Sequence, residues 1–104
     1  MEQLRFELPA PRVAGGRKPR AIVGVVASGN LEVLVERQER ADRCLVEIAT
    51  AAHGFAPIWA AVLDDFVARQ AAGGLRIAIN DGGARPDTVA LRLAQSVRLI
   101  EGGP

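Results

Sequence analysis

Cysteine occurs once, as Cys44, which excludes an intramolecular disulfide and a zinc site built from cysteines. Histidine also occurs once, as His53, and a single imidazole cannot close a metal site by itself. Aromatic residues make up only 4% of the chain and do not interleave with its basic residues, so the stacking platform of a single-stranded nucleic-acid binder is missing. The formal net charge is +1, too small to draw the whole surface to nucleic acid. The opening segment Met1-Glu2-Gln3-Leu4-Arg5-Phe6-Glu7-Leu8 alternates charge with hydrophobe and holds no continuous apolar run. It reads as neither signal peptide nor membrane span. A cytoplasmic protein without a nucleic-acid or membrane partner is the expectation.

What is present points to a folded chain. Hydrophobic residues account for 49% of 104 residues, enough for one modest core and one domain, 1–104, but not for a deep cleft with its own lid. Leu4, Phe6 and Leu8 alternate with Arg5 and Glu7, a half-buried strand that Pro9 and Pro11 stop. Residues 11–20 are rich in Pro, Gly and positive charge (Arg12, Arg17, Lys18, Arg20) and read as a mobile, solvated loop. Ala21 to Ala27 is apolar on both faces, which predicts a central strand covered on two sides. Ser28-Gly29-Asn30 then reads as a tight hairpin turn into Leu31, Val33 and Val35. Arg43 to Thr50 makes a fourth strand, in which Cys44 is a small buried apolar residue.

The period then changes. Ile58, Trp59, Val62, Leu63, Phe66 and Val67 recur at helical spacing behind Pro57, with Gly73-Gly74 as the expected stop. Leu75, Ile77 and Ile79 alternate in a fifth strand. Asn80 to Ala84 form a turn, with Asn80 and Asp81 bonding it, and a last helix opens at Asp87-Thr88 with Val89, Leu93, Val97 and Ile100 on one stripe. The sum is an α+β two-layer sandwich: about five strands in a mostly antiparallel sheet, with two helices on one face.

Little in this pattern can catalyse. A nucleophilic serine needs a base within reach and donors for an oxyanion, and Ala27-Ser28-Gly29-Asn30 lacks the Gly-x-Ser-x-Gly elbow. Ser28 is therefore either a plain turn residue or a hydroxyl that another enzyme modifies, and nothing local separates these two. His53 lies between the fourth strand and the first helix, near the helix entry, bonding the loop or facing solvent. Trp59 belongs with the core. Asp64 and Asp65 are adjacent, about 100° apart on a helix, and so form a solvated face and not a carboxylate dyad. Asn80-Asp81-Gly82-Gly83 precedes a helix but carries a carboxylate and lacks a phosphate-loop pattern. The basic run lies roughly 26 Å from Ser28 if the intervening residues run as strand.

Residue order adds a resemblance. Val23-Gly24-Val25-Val26-Ala27-Ser28-Gly29-Asn30-Leu31-Glu32-Val33-Leu34 is its most specific segment. His53-Gly54-Phe55 with Trp59-Ala60-Ala61-Val62-Leu63, and Ile79-Asn80-Asp81-Gly82-Gly83-Ala84-Arg85-Pro86, support it. In length, order and spacing nearly the whole chain resembles the malonate decarboxylase acyl carrier family, the delta subunit. Gly83 and Arg85 depart from its pattern in a variable turn, and the basic loop has no family role.

The resemblance implies a non-catalytic carrier subunit. Ser28 would hold a phosphoribosyl dephospho-coenzyme A group through a phosphodiester, with Gly29 keeping bulk away from the hydroxyl. The terminal thiol of that group would carry acetyl or malonyl as a thioester, and the net reaction would be malonate to acetate and carbon dioxide. Implied partners are an acetyl-carrier:malonate transferase subunit, malonyl-carrier decarboxylase subunits, a malonyl transacylase and a prosthetic-group transferase. Two other readings fit the same residues: an unmodified α+β assembly subunit, and the related citrate lyase acyl carrier (gamma) subunit.

Overall fold

Three strands with strict alternation form the centre of the molecule. In the computed structural model, which describes residues 1–103, β3 (Leu31–Arg37), β4 (Arg43–Thr50) and β5 (Leu75–Asp81) each bury every second side chain. Leu31, Val33 and Val35, Cys44, Val46 and Ile48, and Leu75, Ile77 and Ile79 are at most 2% exposed. One period-two face from each strand therefore makes one continuous apolar layer. Helices α1 (Ala56–Arg69) and α2 (Pro86–Ile100) cover that layer with Trp59, Leu63 and Phe66, and with Val89, Leu93, Val97 and Ile100. β1 (Glu2–Pro9) and β2 (Arg20–Gly24) complete a sheet of order β1-β4-β5-β3-β2. Only β4 and β5 pair in parallel; the other three pairings are antiparallel. The expected α+β sandwich of a mostly antiparallel five-stranded sheet and two helices is the fold observed.

Four local expectations need correction. The segment from Ala21 is not a central strand: β2 lies at the sheet edge, Ile22 is 58% exposed, and pairing ends at Gly24. Gly24 takes φ +83°, which turns the chain out of the ladder, so Val25 and Val26 are exposed loop residues. Helix α1 ends at Arg69 and not at the glycines, because Gln70 is already extended. Ile58 leaves the core stripe and stays 44% exposed at the helix entry.

The basic loop is held and not free. Arg37 at the end of β3 donates to the carbonyls of Lys18 (2.8 Å), Ala14 (3.3 Å), Gly15 (2.6 Å) and Ile100 (3.1 Å). Arg12 donates to the Ala68 carbonyl in the last turn of α1 (2.6 Å). Ala14 N–H donates to the Gly73 carbonyl and Gly73 N–H to the Arg12 carbonyl. A guanidinium with several donors in a fixed fork can gather several loop carbonyls at once.

Candidate functional site

The register brings Ser28 to the end of the sheet where the helices begin. Leu31 at the start of β3 stands opposite Asp81 at the end of β5, and Thr50 at the end of β4 stands beside Asp81. The β2–β3 loop, the β4–α1 loop and the β5–α2 loop therefore share one end. Arg20 starts β2 at the opposite end, so the basic loop is remote from Ser28.

The turn carrying Ser28 is wider than a tight hairpin. Residues 25–30 separate the strands, and within them Asn30 N–H donates to the Ala27 carbonyl (2.9 Å) to close a four-residue turn. Gly29 holds φ +74° at the third position of that turn, the requirement of a type II geometry. Asn30 Oδ1 accepts from Leu31 N–H (2.8 Å) and fixes the exit. This loop does not stand away as the tip of a ribbon. Gly29 N–H donates to the Gly82 carbonyl (3.1 Å), and Gly82 N–H donates to the Asn30 carbonyl (2.8 Å). A Cβ on Gly82 would run into the Ala27 carbonyl, so only glycine lets the two loops dock.

Gly82 is in turn fixed by its buried neighbour. Asp81 is 5% exposed; its Oδ2 accepts from Thr50 Oγ1 (2.8 Å) and its Oδ1 from Ala84 N–H (2.9 Å). Thr50 Oγ1 also accepts from Ala52 N–H (3.1 Å). One buried Asp–Thr pair thus ties both helix-entry loops to the sheet. Asn80 takes no part in this turn: its side chain lies on the other sheet face beside Glu32 (3.4 Å).

Ser28 itself is exposed, and among the described residues its hydroxyl makes no hydrogen bond. A Cβ placed on Gly29 would meet nothing within 4 Å, so the space beside the serine is open. His53 is exposed in the β4–α1 loop and bonds nothing that would orient it as a base. Among the described residues no cluster of His, Cys, Asp and Glu could hold a metal, and no helix is long and apolar enough to cross a membrane. Cys44 is buried, and burial pushes its thiol from 9.0 to about 12. It is a packing residue and not a thiolate. The candidate site therefore offers a firmly placed, accessible hydroxyl with, among the described residues, no hydrogen-bonded base beside it.

Sequence reasoning missed a pocket at the same end. Phe55, Ile58, Trp59, Val62 and Val89 line an apolar cavity of about 350 Å³ between the entries of α1 and α2, with Asp81 in its wall. Its signal in the sequence was faint: two large apolar residues, Phe55 and Ile58, at a helix entry where neither completes the core stripe.

Comparison with known proteins places the chain in a family. Residues 18–100 match the family described as malonate decarboxylase delta subunit (MdcD). A malonate decarboxylase acyl carrier protein of Bradyrhizobium diazoefficiens is 59% identical over 100 residues, covering 96% of this chain and 95% of that protein. One from Acinetobacter calcoaceticus is 45% identical over 102 residues, covering 98% and 99%. A chain in the crystal structure of a Pseudomonas malonate decarboxylase hetero-tetramer in complex with malonate superposes with a TM-score of 0.84 at 38% identity, covering 96% of this chain and 99% of that one. A match in sequence and fold over nearly the whole chain makes this chain a member of the malonate decarboxylase delta subunit family, the acyl carrier proteins of that system.

Proposed function

We propose that this acyl carrier subunit bears its acyl group on a phosphoribosyl dephospho-coenzyme A arm joined through a phosphodiester to the Ser28 hydroxyl, and that it works in a malonate decarboxylase assembly. The observation that carries the reading is the Ser28 turn: exposed, unbonded, flanked by open space at Gly29, and fastened from below to Gly82. Those residues fit a covalent group, since a modifying transferase must reach the oxygen without moving backbone. When bound, the group supplies a terminal thiol on which acetyl or malonyl can ride as a thioester.

The chain's own residues contribute position. Gly29 lets the turn form and leaves the approach to Ser28 clear. Gly82, held by Asp81 and Thr50, keeps the turn from swinging. The carrier contributes no acid, base or oxyanion donor, so acyl exchange and loss of carbon dioxide belong to the other subunits. The assembly would include a malonate transferase subunit and decarboxylase subunits, with a prosthetic-group transferase acting on Ser28 beforehand.

Replacing Ser28 by Ala tests this directly. The fold is expected to stay within ~0.5 kcal/mol of the parent, as for other exposed turn sites. Malonate decarboxylation by the reconstituted complex is expected to vanish. Retained turnover with the alanine variant would sink the assignment.

A further inference from the structure

The pocket between the helix entries shares a wall with the Ser28 turn. Asp81 and Gly83 line it, and Gly82 between them carries both hydrogen bonds to Gly29 and Asn30. The loop that bears Ser28 is therefore fastened to a residue whose two neighbours line the pocket. Its size suits a small acyl end: an apolar cavity of about 150 Å³ already holds a benzene ring, and this one measures about 350 Å³.

Resting on the attachment read above, we infer that this pocket seats the acetyl-bearing end of the chain's own arm and leaves the malonyl-bearing end in solvent. The lining around Trp59 is apolar, and an acetyl thioester has no charge to desolvate. A malonyl end would bring a carboxylate out of water and against the Asp81 carboxylate, whose two oxygens already have donors in Thr50 and Ala84.

Helix N-termini ordinarily welcome an anion, and two open here; the α2 entry is countered by an acid, and the α1 entry is weakened by one lost amide. Pro57 and Pro86 each remove an amide donor from a first turn. Asp87 Oδ1 takes the Thr88 N–H (3.0 Å) and adds a negative charge at the α2 entry. Arg85, the nearest cation on that loop, is 83% exposed and turned to Asp87 (3.4 Å). The pocket is thus selective through its apolar lining and the Asp81 carboxylate in its wall. It would shelter the acetyl form at rest and release the arm once malonyl replaces acetyl.

Trp59, the only tryptophan, reports on this. The full chain is loaded on Ser28, verified by intact mass, and charged with ¹³C-labelled acetyl or malonyl. The acetyl methyl is expected to shift upfield under the Trp59 ring with nuclear Overhauser contacts to the indole, while the malonyl methylene keeps its free-solution shift. Hydroxylamine should cleave the seated acetyl about tenfold more slowly than a free acetyl thioester, a difference of about 1.4 kcal/mol. Filling the pocket with Ala84→Phe, or making its exposed mouth charged with Ile58→Asp should that variant misfold, is expected to return the methyl to its free shift.

An acetyl methyl at its free shift in the parent, or a malonyl end seated equally well, overturns the inference. If no adduct forms on Ser28, the attachment reading alone fails. S-acetyl-N-acetylcysteamine titrated into the unmodified chain then decides the pocket: shifts confined to Trp59 and its neighbours uphold it, and none overturns it.

Discussion

The two ends of the sheet solve the same problem in opposite ways. At the end holding residues 11–20, a long cationic side chain does the fastening, with Arg37 reaching carbonyls of Ala14, Gly15, Lys18 and Ile100. At the Ser28 end, backbone meets backbone: Gly29, Asn30 and Gly82 exchange amide hydrogen bonds over a buried Asp81–Thr50 pair. The first device occupies the donors of the side chain that does the fastening. The second fixes a loop mainly through backbone, with only the Asn30 side chain engaged, and so keeps the Ser28 hydroxyl available. That second arrangement fits the attachment proposed at Ser28.

Substitutions can break this contrast in order of expected severity. Gly82→Ala forces a Cβ into the Ala27 carbonyl and is expected to cost about 3 kcal/mol, at the upper end for overpacking, seen by denaturant unfolding. Because it displaces the Ser28 turn, it should also slow attachment of the arm by the transferase. Thr50→Val leaves Asp81 Oδ2 and Ala52 N–H without a partner and is expected to cost about 2 kcal/mol. Unchanged stability in that variant would show the buried pair to be dispensable. Arg37→Ala should cost about 1.5 kcal/mol, since most of the freed carbonyls can turn to water. It should loosen residues 11–19 in amide exchange while leaving Ser28 loading as it was. A loss of loading there would erase the distinction between the two ends.

Near neutral pH, Cys44 gives the smallest effect. Its thiol is raised to about 12 by burial, so the folded chain holds that proton where the unfolded chain releases it. Stability is therefore present in full below the ordinary thiol value and falls as pH rises from about 9 toward 12. Alkylation of Cys44 at pH 8 should require unfolding, and rapid labelling of the native chain would contradict its burial.

How much of this the sequence carries differs by element. β3, β4, β5 and α2 are written in their own periodicity, so Val33, Val46, Ile77 and Leu93 fall where alternation and helical spacing put them. β2 misleads because Ala21 to Ala27 is apolar throughout. A single positive φ at Gly24 ends the strand, and no window of hydrophobicity registers it. The attachment proposed at Ser28 rests on residue order alone, since a turn serine and an attachment serine look alike. The setting of Ser28 is not legible, because Gly82 is far along the chain and reaches the turn only through antiparallel pairing of β3 with β5. The pocket likewise needs two helix entries brought side by side.

We propose Ser28 as the point at which the arm is attached. Intact mass of the chain expressed with and without its prosthetic-group transferase, followed by peptide mapping, tests it most directly. A gain equal to one phosphoribosyl dephospho-coenzyme A group on the peptide containing Ser28 is the predicted result. No adduct in the presence of a competent transferase, or an adduct on another residue, would contradict it.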